Sequence, residues 1–170
     1  MEVILESEDF KKFLKHAREY CRYIEESKDS GVVFLNNIQN YLLNLYQYIV
    51  KVKLVEIIYE NNSSQVSDID YNQIRKIIEE RLPINYYWSV FNPLDEKEHD
   101  AIIGSLDDDL ADIYVNIKEA IVSFDTNKIE SIEDALWGFK YDFIIHWGYH
   151  LNSALNVIHW YLRENYEFEY

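Results

Sequence analysis

The stretch that decides the fold is residues 131–164, SIEDALWGFKYDFIIHWGYHLNSALNVIHWYLRE. It contains no proline, so nothing in it forces a break in helical hydrogen bonding. Its apolar residues recur at helical spacing over about half of the circumference. It therefore reads as one long central helix against which the rest of the chain packs. It also carries three of the five histidines and three of the four tryptophans.

Working outward, the tetrapeptide DTNK (125–128) is a turn. It is short enough to make the segment before it an antiparallel neighbour of the long helix. That segment starts at Ser105, which with Asp108 forms an S-x-x-D capping pattern. Asp107, Asp108 and Asp109 occupy its first turn, where negative charge suits the helix dipole. Leu106, Leu110, Ile113, Ile117, Ile121 and Phe124 are its apolar stripe.

At the other end of the chain, Ser7 is placed to cap a first helix with the stripe Phe10, Leu14, Ala17, Cys21 and Ile24. The cluster SKDSG (27–31) ends it. A second helix is predicted over 32–59. Phe34, Ile38, Tyr41, Leu45, Tyr48, Ile49 and Val52 lie on one face, with Leu43, Val50, Leu54 and Ile57 opposite. Two apolar faces imply contact with a second layer or another chain. ENNSSQVSD (60–68) is the most loop-like stretch. Asp70 is placed to cap a short helix over 71–81, stopped by Pro83. INYYWSVFNPLDEKEHD (84–100) is aperiodic, and its Tyr86, Tyr87, Trp88 and Phe91 are expected to plug the side of the bundle.

The totals agree with this reading. A chain of 170 residues is the size of one domain. Four glycines and two prolines leave few tight turns, which favours long helices over a many-stranded sheet. The expected fold is all-α: an antiparallel bundle of about five helices, four long and one short, around the long C-terminal helix, in one domain over 1–170. A net charge of -15 repels phosphate backbones and anionic lipid, so neither nucleic acid nor membrane is an expected partner. The N-terminus lacks the basic start of a signal peptide, and no run approaches the roughly 20 apolar residues of a membrane span. A cytoplasmic location is expected. The single cysteine, Cys21, excludes a disulfide within the chain and reads as a small buried hydrophobe.

Two segments resemble a known family. SLDDDLADIYVNIKEAI (105–121) and ALWGFKYDFIIHWGYHLNSALNVIH (135–159) are similar to an uncharacterised bacterial family, domain of unknown function 5063. Leu110, Ala111, Asp112, Ile113 and Tyr114 match its acidic helix. Trp147, Gly148, His150, Ala154, Leu155 and His159 match its tryptophan-glycine-x-histidine run. LPINYYWSVFNP (82–93) and AREYC (17–21) are similar as well. The resemblance implies an all-helical fold and no particular activity.

One constellation resembles a site. At about 100° per residue, His150 falls within the apolar arc among Phe143, Trp147, Ala154 and Tyr161, with His146 at its margin and Asp142 just outside. Asp109, Asp112 and Asn116 lie along one margin of the preceding helix, so antiparallel packing can bring the two margins into one seam. The helical positions favour a buried polar network centred on His150, whose ring needs a partner in the core. A divalent-metal site is the sharper alternative, with His146, His150 and Asp112 as candidate ligands, because H-x-x-x-H spacing presents two imidazoles on one face. Neither the E-x-x-H pairs of di-iron bundles nor H-E-x-x-H is present. A third option is a small-molecule site with His146 and Asp112 or Asp142 as a general-base pair. Phosphate loops, nucleophile elbows and CxxC pairs are absent.

The expected function is a non-enzymatic interaction or regulatory protein without a cofactor, acidic and immunity-like in size and charge, acting on a protein partner or another copy of itself. The alternative is a metal- or small-ligand-binding bundle at the Asp109/Asp112–His146/His150 seam. Gly148, in mid-helix, costs about 1 kcal/mol relative to alanine, and close approach of another helix is its expected reason.

Overall fold

Ser7 and Asp70 act as the helix starts that their positions imply. Ser7 Oγ accepts the Phe10 N–H at 3.2 Å, and Asp70 Oδ1 accepts the Gln73 N–H at 3.2 Å. The computed structural model describes residues 1–56, 58, 69–90, 94 and 100–165. In chain order these form α1 (Glu2–Leu5), α2 (Glu8–Glu26), α3 (Gly31–Ile49), α4 (Tyr71–Glu79), an antiparallel ribbon of β1 (Tyr86–Ser89) and β2 (Ile102–Ser105), α5 (Leu106–Asp125), α6 (Ile129–Asp142), a π-helical turn (Phe143–Trp147) and α7 (Gly148–Glu164). The 60–68 loop, Ile57 and Phe91 lie outside the described residues. None of the described helices is long and apolar enough to cross a membrane.

The fold is an all-α bundle with one small ribbon on its side. α5 packs on α2, α4, α6, α7 and the π turn; α2 packs on α3, and α3 on α7. The buried apolar side chains join into one cluster fed by α2, α3, α5, α6 and α7. Its aromatic centre is Phe13, with ring centroids 5.2 Å from Phe139 and 6.5 Å from Trp147. Cys21 is buried there, as its place on the α2 stripe implies. The fully buried Tyr20 donates its hydroxyl to the Leu110 carbonyl at 2.8 Å, tying α2 to α5. Tyr20→Phe should lower stability by about 1 kcal/mol in chemical denaturation, the usual net worth of one such bond.

Two predicted helix ends are corrected. The second helix does not run to residue 59; it ends at Ile49. Lys140 of α6 donates its ammonium to the Ile49 and Val50 carbonyls at 2.8 and 3.3 Å, a cation on the C-terminal end of the dipole. Farther on, the Ile58 N–H goes to the buried Glu133 carboxylate at 2.9 Å. These tertiary partners take backbone groups that a longer helix would have used. α4 likewise ends at Glu79 rather than residue 81.

Within the aromatic segment residues 86–89 form a strand, and of its described aromatics only Tyr87 packs against the core as expected. β1 pairs with β2 in the register Tyr86↔Ser105, Tyr87↔Gly104, Trp88↔Ile103 and Ser89↔Ile102. Alternation then sends neighbouring side chains to opposite faces. Tyr86, Trp88 and Ile103 point outward, 65%, 72% and 66% exposed, and Tyr87 points in.

The start of α5 also differs in detail. Ser105 is its N-cap, but its hydroxyl bonds the Asp107 carboxylate instead of a backbone amide. The Leu106 and Asp107 N–H groups go to the carbonyl and side-chain oxygen of Asn85, at 2.8 and 2.9 Å. The cap is therefore supplied from just before β1.

The long C-terminal helix is interrupted at its middle. Across Phe143–Trp147 the hydrogen bonding is π-type, and the Gly148 N–H reaches the Phe143 carbonyl. One extra residue in the turn rotates everything before it by about 100° relative to everything after it. Gly148 is required by this turn and not by another helix: a Cβ there would lie 2.2 Å from the Phe143 carbonyl oxygen.

Candidate functional site

The site is built where the first turn of α5 meets the start of α7. Asp107, Asp108 and Asp109 occupy the first turn of α5, as expected for the helix dipole, and each carboxylate is also engaged by a side chain from another element. Arg75 of α4 donates Nε to Asp107 Oδ2 at 2.7 Å and approaches Asp108 at 3.5 Å. Tyr71 of α4 donates to Asp108 Oδ1 at 2.7 Å, with Asp112 Oδ2 at 3.5 Å. Tyr87 of β1 donates to Asp109 Oδ2. Asp107 and Asp109 are buried, which a reading of the helix surface alone does not reveal. Burial pushes Asp107 up, but the hydrogen bonds from Arg75 and Ser105 and the Arg75 charge outweigh it and hold the group below its ordinary value.

From α7, His150 places Nδ1 2.8 Å from Asp109 Oδ1 and Nε2 3.6 Å from Asp112 Oδ2. The side chains of His150 and Asp109 are 16% and 5% exposed. Burial opposes charge on the imidazole. The hydrogen bond and charge of Asp109, joined by the charges of Asp112 and Asp108, overcome it and hold His150 above its ordinary value. Burial pushes Asp109 upward against the bonds from His150 and Tyr87, and pushes Asp112 upward against the His150 charge.

His146 lies on the π turn, exposed, with its ring centroid 4.9 Å from that of His150. The Asn116 amide nitrogen lies 3.3 Å from His146 Nδ1 and donates to the Asp112 carbonyl at 2.8 Å. Asp109, Asp112, Asn116, His146 and His150 thus share one seam. Asp142, one turn earlier, is raised by burial and opposed by the His146 charge, and it supplies no atom to the convergence described next. One ligand atom each from Asp112, His146 and His150 lie within 4.8 Å of one another.

Position within the core is corrected too. Uniform helical spacing puts His150 among the core aromatics; in the structure Trp147 is sealed in the core and His150 is half-buried at the seam. Sequence reasoning also missed Tyr71, Arg75, Asn85 and Tyr87.

The model of the family described as domain of unknown function (DUF5063) matches residues 5–163. The chain belongs to the DUF5063 family. Among curated proteins none matches it. The crystal structure of protein BF1032 from Bacteroides fragilis is similar in fold to this DUF5063 protein, with a TM-score of 0.77, 21% identity and 98% of each chain covered. At that identity the likeness is one of fold.

Proposed function

We propose that this DUF5063 protein is a metal-binding helical bundle that holds one divalent ion between Asp112, His146 and His150. The convergence of their three ligand atoms within 4.8 Å carries the reading. Tetrahedral bonds of about 2.0–2.2 Å separate ligand atoms by about 3.3–3.6 Å, so closing on an ion takes side-chain movements of about 1 Å. Two imidazoles and one carboxylate suit zinc, cobalt or nickel rather than calcium or magnesium. Three protein ligands leave a position for water or a small ligand, the pattern of an open rather than a purely structural site. The Asp109–His150 bond supports the same reading, since ligating histidines characteristically donate their second nitrogen to a carboxylate. A structural network alone needs the Asp109–His150 pair but not the approach of exposed His146.

Elemental analysis of protein purified without chelator or nickel should find about one equivalent of a first-row divalent metal, and zinc titration into stripped protein should raise Tm. Because His146 is exposed, His146→Ala should fold normally yet lose affinity by more than the about 10–100-fold typical of an outer partner. Less than about a tenth of an equivalent, with no zinc-dependent shift in Tm, sinks the reading.

A protein-partner or self-association role is the second reading, favoured by the outward Tyr86, Trp88 and Ile103 on a chain of net charge -15, which suits a basic partner. Light scattering of wild type and Trp88→Ala tests self-association: a monomer in both removes that form of it.

A further inference from the structure

We propose that Tyr87 is a positioning residue for the ion site: acting through Asp109, it sets which nitrogen of His150 faces the ion. The inference rests on the metal-binding reading and adds the ribbon to it. Asp109 is held at both oxygens, Oδ2 by the Tyr87 hydroxyl and Oδ1 by His150 Nδ1 at 2.8 Å. A carboxylate held at both ends cannot swing about its own axis. His150 Nδ1 therefore stays committed as the donor to Asp109, and Nε2 is the nitrogen presented toward Asp112, 3.6 Å away. Without the phenol, one Asp109 oxygen has no donor and the carboxylate can turn, taking the imidazole with it.

The ribbon exists in a form that makes this hold possible. Tyr87 pairs with Gly104 across the strands, and the ring lies over the glycine. A Cβ on residue 104 would stand 2.3 Å from Tyr87 Cζ and 2.7 Å from its hydroxyl oxygen. Those atoms are the far end of a side chain, so alanine at 104 shifts the ring rather than the strand, and the hydroxyl leaves Asp109. One phenol thus links β1 to α5 beside the proposed ligands. Tyr71 engages Asp108 and approaches Asp112 on the other side, without touching Asp109.

The test is cobalt titration of the full chain, read by visible ligand-field absorption and by competition with zinc, for wild type, Tyr87→Phe, Gly104→Ala and Tyr114→Phe. Tyr114 is the control, because it donates to Glu25 at 2.7 Å in an equivalent phenol–carboxylate bond away from the seam. Tyr87→Phe and Gly104→Ala should each weaken cobalt binding about 10–100-fold and alter the absorption band, while Tyr114→Phe leaves both as in wild type. Wild-type affinity and spectrum in Tyr87→Phe overturn the inference and leave the metal site standing. A wild type that binds neither cobalt nor zinc is a different result, the failure of the metal-binding reading itself. Should Tyr87→Phe not fold, nitrogen-15 NMR of zinc-loaded wild type decides: a proton on His150 Nδ1 and metal on Nε2 support the assignment, and metal on Nδ1 overturns it.

Discussion

Gly148→Leu should destabilise the fold by about 3 kcal/mol, the upper part of the usual range for forcing atoms into a packed interior. For a chain of this size that is a fall in Tm of about 6–12 °C. The obstruction is backbone: the first carbon of any side chain at 148 would lie 2.2 Å from the Phe143 carbonyl oxygen, and no rotamer relieves it. The π turn must reopen, and Trp147, sealed in the core with its ring 4.8 Å from Phe143, must move with it. Gly138 in α6 is the internal control. A Cβ there meets only Asp142 Oδ2 at 3.5 Å, so Gly138→Ala should be neutral or stabilising by up to about 1 kcal/mol, the helix propensity difference. Equal melting temperatures for Gly148→Leu and wild type would falsify this account of the turn.

Asp109→Ala should cost about 3–5 kcal/mol at mildly acidic pH, the range for removing one partner of a buried pair. Both side chains are well screened from water, and the loss strands the Tyr87 hydroxyl as well as the His150 cation. The pH dependence has a definite sign. His150 is held above its ordinary 6.5 in the fold, so its stabilisation is complete below 6.5 and is lost as pH rises through the raised folded value. Asp109 is raised above its ordinary 3.8, so in more acid solution it takes up a proton and the ion pair is lost from that side too. The cost of Asp109→Ala is therefore greatest between the two raised values and shrinks toward alkaline pH. Denaturant melts of metal-free protein at about pH 6 and about pH 9 should show the larger difference from wild type at the lower pH. A difference independent of pH excludes the charged His150–Asp109 pair as its source.

The class of the fold was legible because its signals are local and repeated. The stripes of α2 and α5, the caps at Ser7 and Asp70, and the DTNK turn each recur within a few residues and need no distant partner. The ends of elements were less legible, because distant groups decide them. α3 stops at Ile49 where Lys140, 91 residues later, takes its last carbonyls. α5 starts on a cap supplied by Asn85. The ribbon was missed because its alternation spans four residues in each strand.

For the site, residue types and helical spacing alone named Asp109, Asp112, Asn116, His146 and His150 as sharing a seam, since an antiparallel pair with a short turn leaves few ways to face its margins. What only the tertiary structure decided is how they sit. A π turn is invisible to a reading at constant helical period; it shifts the phase of α6 against α7 by about 100°, and only the structure shows His150 half-buried at the seam beside the sealed Trp147. The partners that bury and orient the aspartates, Arg75, Tyr71 and Tyr87, come from α4 and β1, brought there by packing rather than by spacing. Local periodicity determines which faces are apolar; the hydrogen bonds between faces depend on contacts across the fold, and these exist only once the chain has closed on itself.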